Sequence, residues 1–221
     1  MILSVHLADV GLRASPALLR RTPDPARVPG LRYAETVLAA PLGGGLLPRP
    51  QPGRVGLIAA WDDDAALDGF VAGHHPVARG LADGWRVRLE PLRTSGAWPA
   101  LPELDGRVVP VDDDEPVAVL TLGRLRLARV LPFLRTSAAA EAQAVGDPAV
   151  TFSTGLARPP RLVSTFSLWR SAGEMRAYAY AYGASGPSHR AAIDAHRARA
   201  FHHESAFARF RPYAAGGTLP A

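Results

Sequence analysis

The chain contains no cysteine, no lysine and no asparagine. The missing cysteine removes disulfides, zinc–thiolate sites, iron–sulfur clusters and thiolate-ligated haem together. Without lysine, the net charge of +5 is carried by arginine alone. No helix or arm concentrates that charge, which argues against a nucleic-acid partner. Ala, Arg, Pro and Gly are heavily used, a GC-rich bias that weakens any functional reading of the charge. Met1 leads straight into the strand-like run Ile2–Leu7. There is no basic n-region followed by an apolar h-region, so a cytoplasmic protein without a signal peptide is expected. No apolar run approaches the ~20 residues needed to span a bilayer. Familiar motifs are missing too. Gly43-Gly-Gly45 lacks the spacing and the following helix of a dinucleotide fingerprint, and there is no phosphate loop. There is no Gly-x-Ser-x-Gly elbow and no His-Glu-x-x-His.

What is present is a real core. Hydrophobic residues make up 48% of 221 positions, enough for one large domain or two smaller ones. Strands are expected at residues 2–9, Leu31–Ala40, Arg54–Trp61, Trp85–Leu89, Val117–Leu122, Val150–Ser153, Leu162–Trp169 and Ala206–Arg211. Helices are expected at Ser15–Arg20, with Ser15 as cap, and from Asp62 to about Leu81, interrupted near Gly73–Pro76. Others are expected at Leu125–Ala144, from Ser171 through Met175, Tyr178 and Tyr182, and from Pro187 to about Ala200.

This order contains an internal repeat. Arg54–Trp61 parallels Arg161–Trp169. From each Trp an apolar residue follows at the sixth position (Leu67, Met175) and an aromatic at the ninth (Phe70, Tyr178). Each copy closes on an alternating strand ending in proline, Pro91 or Pro212, and the second copy is 13 residues longer. Each half reads β-α-β-β-α-β, the ferredoxin-like unit. The expected class is α+β, with residues 1–94 as the first half, 95–115 as a linker and 116–221 as the second half. One face of such a sheet is bare, and two covalently joined copies can bury both bare faces by closing into an α/β barrel. That barrel is expected to enclose an apolar chamber with an imidazole from the C-terminal half aimed inward. The outer helices leave room for a homodimer.

The last third carries the candidate chemistry. Stepped at 100° per residue, His189, Ile193, His196 and Ala200 share one helical stripe, beside a polar stripe of Arg190, Asp194 and Arg197. A ring nitrogen at such a border can reach a metal or a substrate, although a hydrogen-bonded structural histidine is the more ordinary case. His202-His203-Glu204 lacks a helical return, and neighbours on a strand point to opposite sides. Asp62–Asp64 falls at a helix start and Asp112–Asp114 in a loop, where the helix dipole and solvation account for them. Arg88, Arg209 and Arg211 read as a polar outer face.

The string from Thr165 through Met175–Tyr180 and His189–Ile193 to Glu204–Pro212, which ends Phe-Ala-Arg-Phe-Arg-Pro, resembles the C-terminal part of spheroidene monooxygenase-like proteins. Val117–Leu134 resembles them more loosely. The barrel resembles the dimeric α/β-barrel superfamily, which holds cofactor-free monooxygenases as well as haem proteins. The resemblance implies oxygen insertion into an apolar polyene, with haem as cofactor, dioxygen as co-substrate and an external ferredoxin or reductase as electron donor. With no cysteine available, the axial ligand would be His189, with His196 and then His75, the repeat-equivalent position, as alternatives. A cofactor-free reading instead makes Trp169, Tyr178 and Tyr182 the walls of a pocket. A non-enzymatic ligand-binding barrel is the third reading.

Overall fold

The computed structural model describes residues 1–42, 51–126, 128, 147–180 and 202–219, and within them eight antiparallel strands close into a barrel. The strands are β1 (Ile2–Asp9), β2 (Leu31–Ala40), β3 (Arg54–Trp61), β4 (Trp85–Ala97), β5 (Val117–Leu125), β6 (Val150–Arg158), β7 (Leu162–Trp169) and β8 (His202–Gly216). The described helices are α1 (Gly11–Leu19), α2 (Asp64–Ala72), α3 (Pro76–Gly80) and α4 (Ala172–Tyr180). Around the barrel the order is β1-β3-β2-β6-β7-β5-β8-β4. Read by halves, this is 4-1-3-2 followed by the same order in β8-β5-β7-β6. The expected pair of ferredoxin-like repeats is therefore present, and it closes within one chain. Among the described residues no helix is long and apolar enough to cross a membrane.

Two seams join the halves, and they differ in length. Along β4 and β8 the ladder runs from Arg86–Gly216 to Ala97–Ser205. Along β2 and β6 it holds three residue pairs, Leu38–Ala40 with Ala157–Gly155. The long seam corrects the expected strand ends. Both strands continue past their prolines, because beyond Pro91 and Pro212 each finds its ladder partner in the other half. Pro91 lies opposite Phe210 and Leu89 opposite Pro212, with register shifts after Arg88 and after Pro91. A proline has no N–H to donate, and a bulge is where a ladder tolerates that loss. Ion pairs reinforce both seams. Arg158 Nη1 meets Glu35 Oε2 at 2.9 Å across the short one, and Arg211 Nη1 meets Glu90 Oε2 at 2.7 Å across the long one.

Among the described residues the barrel interior is filled by side chains and holds no open chamber of the kind expected. Leu3, Val5, Val37, Ile58, Val87, Leu120, Phe166 and Phe210 fill it and are out of contact with water. An eight-stranded barrel is just wide enough for its own side chains. Residues 95–115 do more than link the halves. Trp98, Leu101 and Leu104 turn into the barrel core and plug one end, where Trp98 meets Tyr33 edge to face at 6.4 Å.

Local chemistry explains the helix limits. Asp63 caps α2, its side chain accepting the Ala66 N–H at 2.9 Å, and Pro76 occupies the first turn of α3. Gly73 separates the two helices, as the interruption near Gly73–Pro76 anticipates. α1 departs from expectation. It begins at Gly11, and Ser15 is buried within it instead of capping it. The start is set by the backbone, because the N–H groups of Val10 and Gly11 both donate to Gly53 O, at 2.8 and 3.1 Å. Gly11 takes φ +75°, which an L side chain seldom adopts. The helix expected over Leu125–Ala144 lies almost wholly outside the described residues, and that over Pro187–Ala200 entirely so.

Between the first half's sheet and its helices sits His6. Its Nε2 lies 3.0 Å from Ser4 Oγ, which also accepts the Trp61 indole N–H at 2.9 Å. Burial, with Arg86 and Arg88 nearby, lowers the His6 pKa to about 3. The unfolded imidazole takes a proton near its usual 6.5, so below that pH the unfolded chain binds more protons than the folded one. His6 thus contributes stability in full above pH 6.5 and loses it as pH falls toward 3. Thermal melting of the wild type and of His6→Leu at pH 7 and pH 4 checks this. The wild type is expected to lose more melting temperature on acidification than the variant, and equal losses would contradict the assignment.

Candidate functional site

The ladders align the halves position by position. Ile2 pairs with Trp61 as Val117 pairs with Trp169. Ser4, His6 and Ala8 therefore correspond to Val119, Thr121 and Gly123. Val55, Leu57 and Ala59 correspond to Val163, Thr165 and Ser167. All of these side chains lie on the outer, helix-facing side of the sheet.

At the edge of that face both halves build the same aromatic corner. Trp61 packs on Phe70 with ring centres 5.0 Å apart, and Trp169 packs on Tyr178 at 5.1 Å, tilted by 43° and 44°. Leu67 and Met175 are buried beside them. The spacing of six and nine residues after each Trp thus produces one structural unit twice.

Away from the corner the halves diverge. In the first, Val55, Leu57 and Ala59 are 0% exposed and pack with Leu18, Phe70, Val77 and Leu81. In the second, the equivalent Val163, Thr165 and Ser167 are only half-buried, as is Thr121. Hydroxyls replace methyls there. Thr121 Oγ1 and Thr165 Oγ1 are 2.7 Å apart, and the Thr165 backbone N–H donates to Thr121 Oγ1 at 3.0 Å. The two hydroxyls share one bond between them. Whichever one donates, the other O–H proton remains for a group lying over the sheet. Ser167 Oγ accepts the Trp169 indole N–H at 2.9 Å. Phe207, opposite Thr121 on β8, is half-buried beside this floor.

One imidazole also reaches this face. Gly123 has no side chain, and a Cβ placed on it would stand 2.5 Å from the His202 ring. The ring therefore lies over Gly123, at the end of the floor, and the glycine makes room for it. His203 follows on β8 and is exposed. The two neighbours differ in surroundings, as strand alternation requires.

Of the residues singled out from sequence, Trp169 and Tyr178 are both buried and fill each other's space, so they form one wall of the floor and not a lined opening. Burial, and secondarily Asp147, pushes the Tyr178 phenol up to about 12, so it stays neutral. His75 caps α3, its Nδ1 accepting the Val77 N–H at 3.2 Å while its ring packs on Phe70 at 5.4 Å. That bond puts the proton of the neutral ring on Nε2, and no lone pair is left for iron unless the cap is given up. Burial lowers its pKa further. Tyr182, His189 and His196 lie outside the described residues. Among the described residues no group of three or more His, Asp or Glu is placed to hold a metal ion. Thr121 and Thr165 are candidate residues that sequence reasoning did not single out, and His202, weighed there only within His202-His203-Glu204, lies on this face. Thr121 and Thr165 each stood in an expected strand, but only the register shows that they face one another.

No family model matches the chain. Spheroidene monooxygenase from Rubrivivax gelatinosus is 32% identical over 193 residues, covering 86% of this chain and 72% of that protein. Spheroidene monooxygenase from Rhodobacter capsulatus is 30% identical over 179 residues, covering 76% and 70%. Among solved structures, an uncharacterised ferredoxin-fold protein from Listeria monocytogenes, related to antibiotic biosynthesis monooxygenases, is 10% identical with a TM-score of 0.36. It covers 96% of this chain and 95% of that one. On the length and identity of the first two matches, the chain belongs to the spheroidene monooxygenase family.

Proposed function

We propose that this protein is a monooxygenase that inserts oxygen into an apolar polyene or a related secondary metabolite, and that the substrate lies over the hydroxyl-lined floor of β5 and β7. Family membership is the observation that carries this reading. The half-buried floor supports its location, because the equivalent face of the first half is filled by Leu18, Phe70, Val77 and Leu81. Monooxygenation places one atom of dioxygen in the substrate and reduces the other to water. It consumes two electrons and two protons, which an external ferredoxin or reductase would supply.

In this reading the chain's own residues hold and orient. Phe207, half-buried, presents an apolar ring to the polyene, and the packed pair Trp169 and Tyr178 closes that end of the floor to water. The spare proton of the Thr121–Thr165 pair donates to oxygen as charge develops there, where few other donors reach. Haem belongs to the same proposal. His189 would hold it, with His196 as the alternative, and when bound it would supply activation of dioxygen.

Two experiments test the reading. Thr165→Val keeps the side chain's shape and removes the hydroxyl. Its stability is expected within about 1 kcal/mol of wild type, while polyene oxygenation falls roughly tenfold, the worth of one lost hydrogen bond in the reaction. Leu57→Thr, at the equivalent position of the sealed half, is expected to cost about 2–4 kcal/mol in denaturant unfolding. Equal destabilisation by both would contradict the contrast between the faces. The haem assignment is tested by spectroscopy. Purified protein supplied with haem should show a Soret band that His189→Ala shifts or abolishes. An unchanged spectrum in the variant would remove His189, and an active but colourless protein would favour the cofactor-free reading.

A further inference from the structure

No single helix or arm of the sequence concentrates arginine, but folding brings two basic segments together. Val10–Gly30, which carries α1 and the loop after it, holds Arg13, Arg20, Arg21 and Arg27 against one acid, Asp24. Gly73–Ala82, which carries α3, holds His74, His75 and Arg79 and no acid. α1 and α3 pack side by side, so closely that a Cβ placed on Gly80 would stand 2.8 Å from the Leu18 side chain. All five arginines are exposed. Arg27 pairs with Asp24 at 3.6 Å, and among the described residues the other four meet no carboxylate. Elsewhere arginine is matched, since Arg32, Arg88, Arg158 and Arg211 each hold a carboxylate.

The two segments meet around a recess of about 280 Å³, lined by Arg21, Arg27, His75 and Asp24 among others. The Asp24 carboxylate is already occupied by the Ala26 N–H, at 2.9 Å, and by Arg27. Stepped along α1, Leu12, Pro16, Arg20 and Arg13 fall within one stripe about 100° wide. All four are exposed, Leu12 by 67%. An apolar side chain thus stands among unmatched guanidinium groups. Such a face fits a layer of phosphates over a hydrocarbon, because a guanidinium offers phosphate a fork of N–H donors. A stable protein partner asks instead for a central patch of aromatic or large apolar anchors, and this face offers a single leucine.

We propose that the α1–α3 face binds the phosphate headgroups of an anionic lipid surface, with Leu12 entering the apolar layer beneath them. Each arginine held near such a surface is worth roughly fivefold in affinity. α1 would lie along the surface and cross nothing. The β5–β7 floor belongs to the other half of the barrel and is left uncovered. A bilayer is also where an apolar polyene dissolves, although vesicle binding is measured without turnover and does not rest on the oxygenation reading.

Sedimentation of the full chain with phosphatidylcholine vesicles, and with vesicles that also contain phosphatidylglycerol, tests this. Binding to the anionic vesicles is expected to be at least about tenfold tighter, with the difference lost in roughly 1 M salt. Arg20→Gln combined with Arg21→Gln should weaken it by roughly 25-fold, and Leu12→Ala by roughly threefold. Arg170→Gln, the same loss of charge at an exposed position of the other half, should leave it within about twofold. Exchanging chloride for inorganic phosphate at equal ionic strength should not release the protein. Equal binding to both kinds of vesicle, or binding to neither, would overturn the proposal. Release by inorganic phosphate would also overturn it, since free phosphate would then be the ligand. So would an effect of Arg170→Gln as large as that of the double variant, or no effect of Leu12→Ala. A DNA duplex that displaces the protein from the vesicles at equal phosphate concentration would assign the face to nucleic acid instead.

Discussion

β4 and β8 meet over a ladder that runs from Arg86–Gly216 to Ala97–Ser205, and the placement of every other strand follows from it. Each half alone would leave one apolar sheet face in water. Val5, Val87, Leu120 and Phe210 lose that contact only when the two sheets face each other. Covalent linkage makes closure an intramolecular step, with an effective partner concentration in the millimolar range. The second seam, three residue pairs long, completes the ring with little backbone bonding of its own. There Arg158 reaches both Glu35 and Thr22, tying the end of β6 to β2 and to the loop after α1.

Duplication lets one half carry the fold while the other departs from it. The aromatic corner is kept in both, as Trp61 with Phe70 and as Trp169 with Tyr178, because the helix after each Trp must dock on the sheet. Beyond the corner the first half closes its interlayer with Leu57, Leu67, Val77 and Leu81. His6, within that layer, is held neutral by burial and bonded to Ser4, an arrangement that serves packing. The second half puts Thr121 and Thr165 where the first has His6 and Leu57. A half-buried hydroxyl pair adds little to a core.

Much of this architecture could be read from residue order, for identifiable reasons. The strands at Leu31–Ala40, Arg54–Trp61 and Leu162–Trp169 have their observed limits, since β-branched and aromatic runs bounded by Gly, Pro or Asp leave few alternatives. The match between Arg54–Trp61 and Arg161–Trp169 pointed to the two repeats because both copies need the same corner. β4, β5, β6 and β8 read too short. Extra residues of β4, β6 and β8 pair across the halves, and nothing local in Arg93–Ala97 or Gly155–Ala157 announces a partner more than a hundred positions away. The chamber was expected because a closed sheet suggests a hollow, yet the summed volume of Leu, Val and Phe inside fills an eight-stranded barrel. The hydroxyl floor stayed hidden for a similar reason. Thr121 and Thr165 are unremarkable one at a time, and the pairing that joins them depends on a register set by the whole sheet.

The central claim is that the C-terminal half binds the substrate against the β5–β7 face of its sheet. Photolabelling with a diazirine-bearing polyene, followed by mass-spectrometric mapping of the adducts on the full chain, tests this most directly. The account predicts adducts on the segments carrying Val117–Gly123 and Leu162–Tyr178. Adducts confined to the segment from Val55 to Leu81, on the sealed face of the first half, would contradict it.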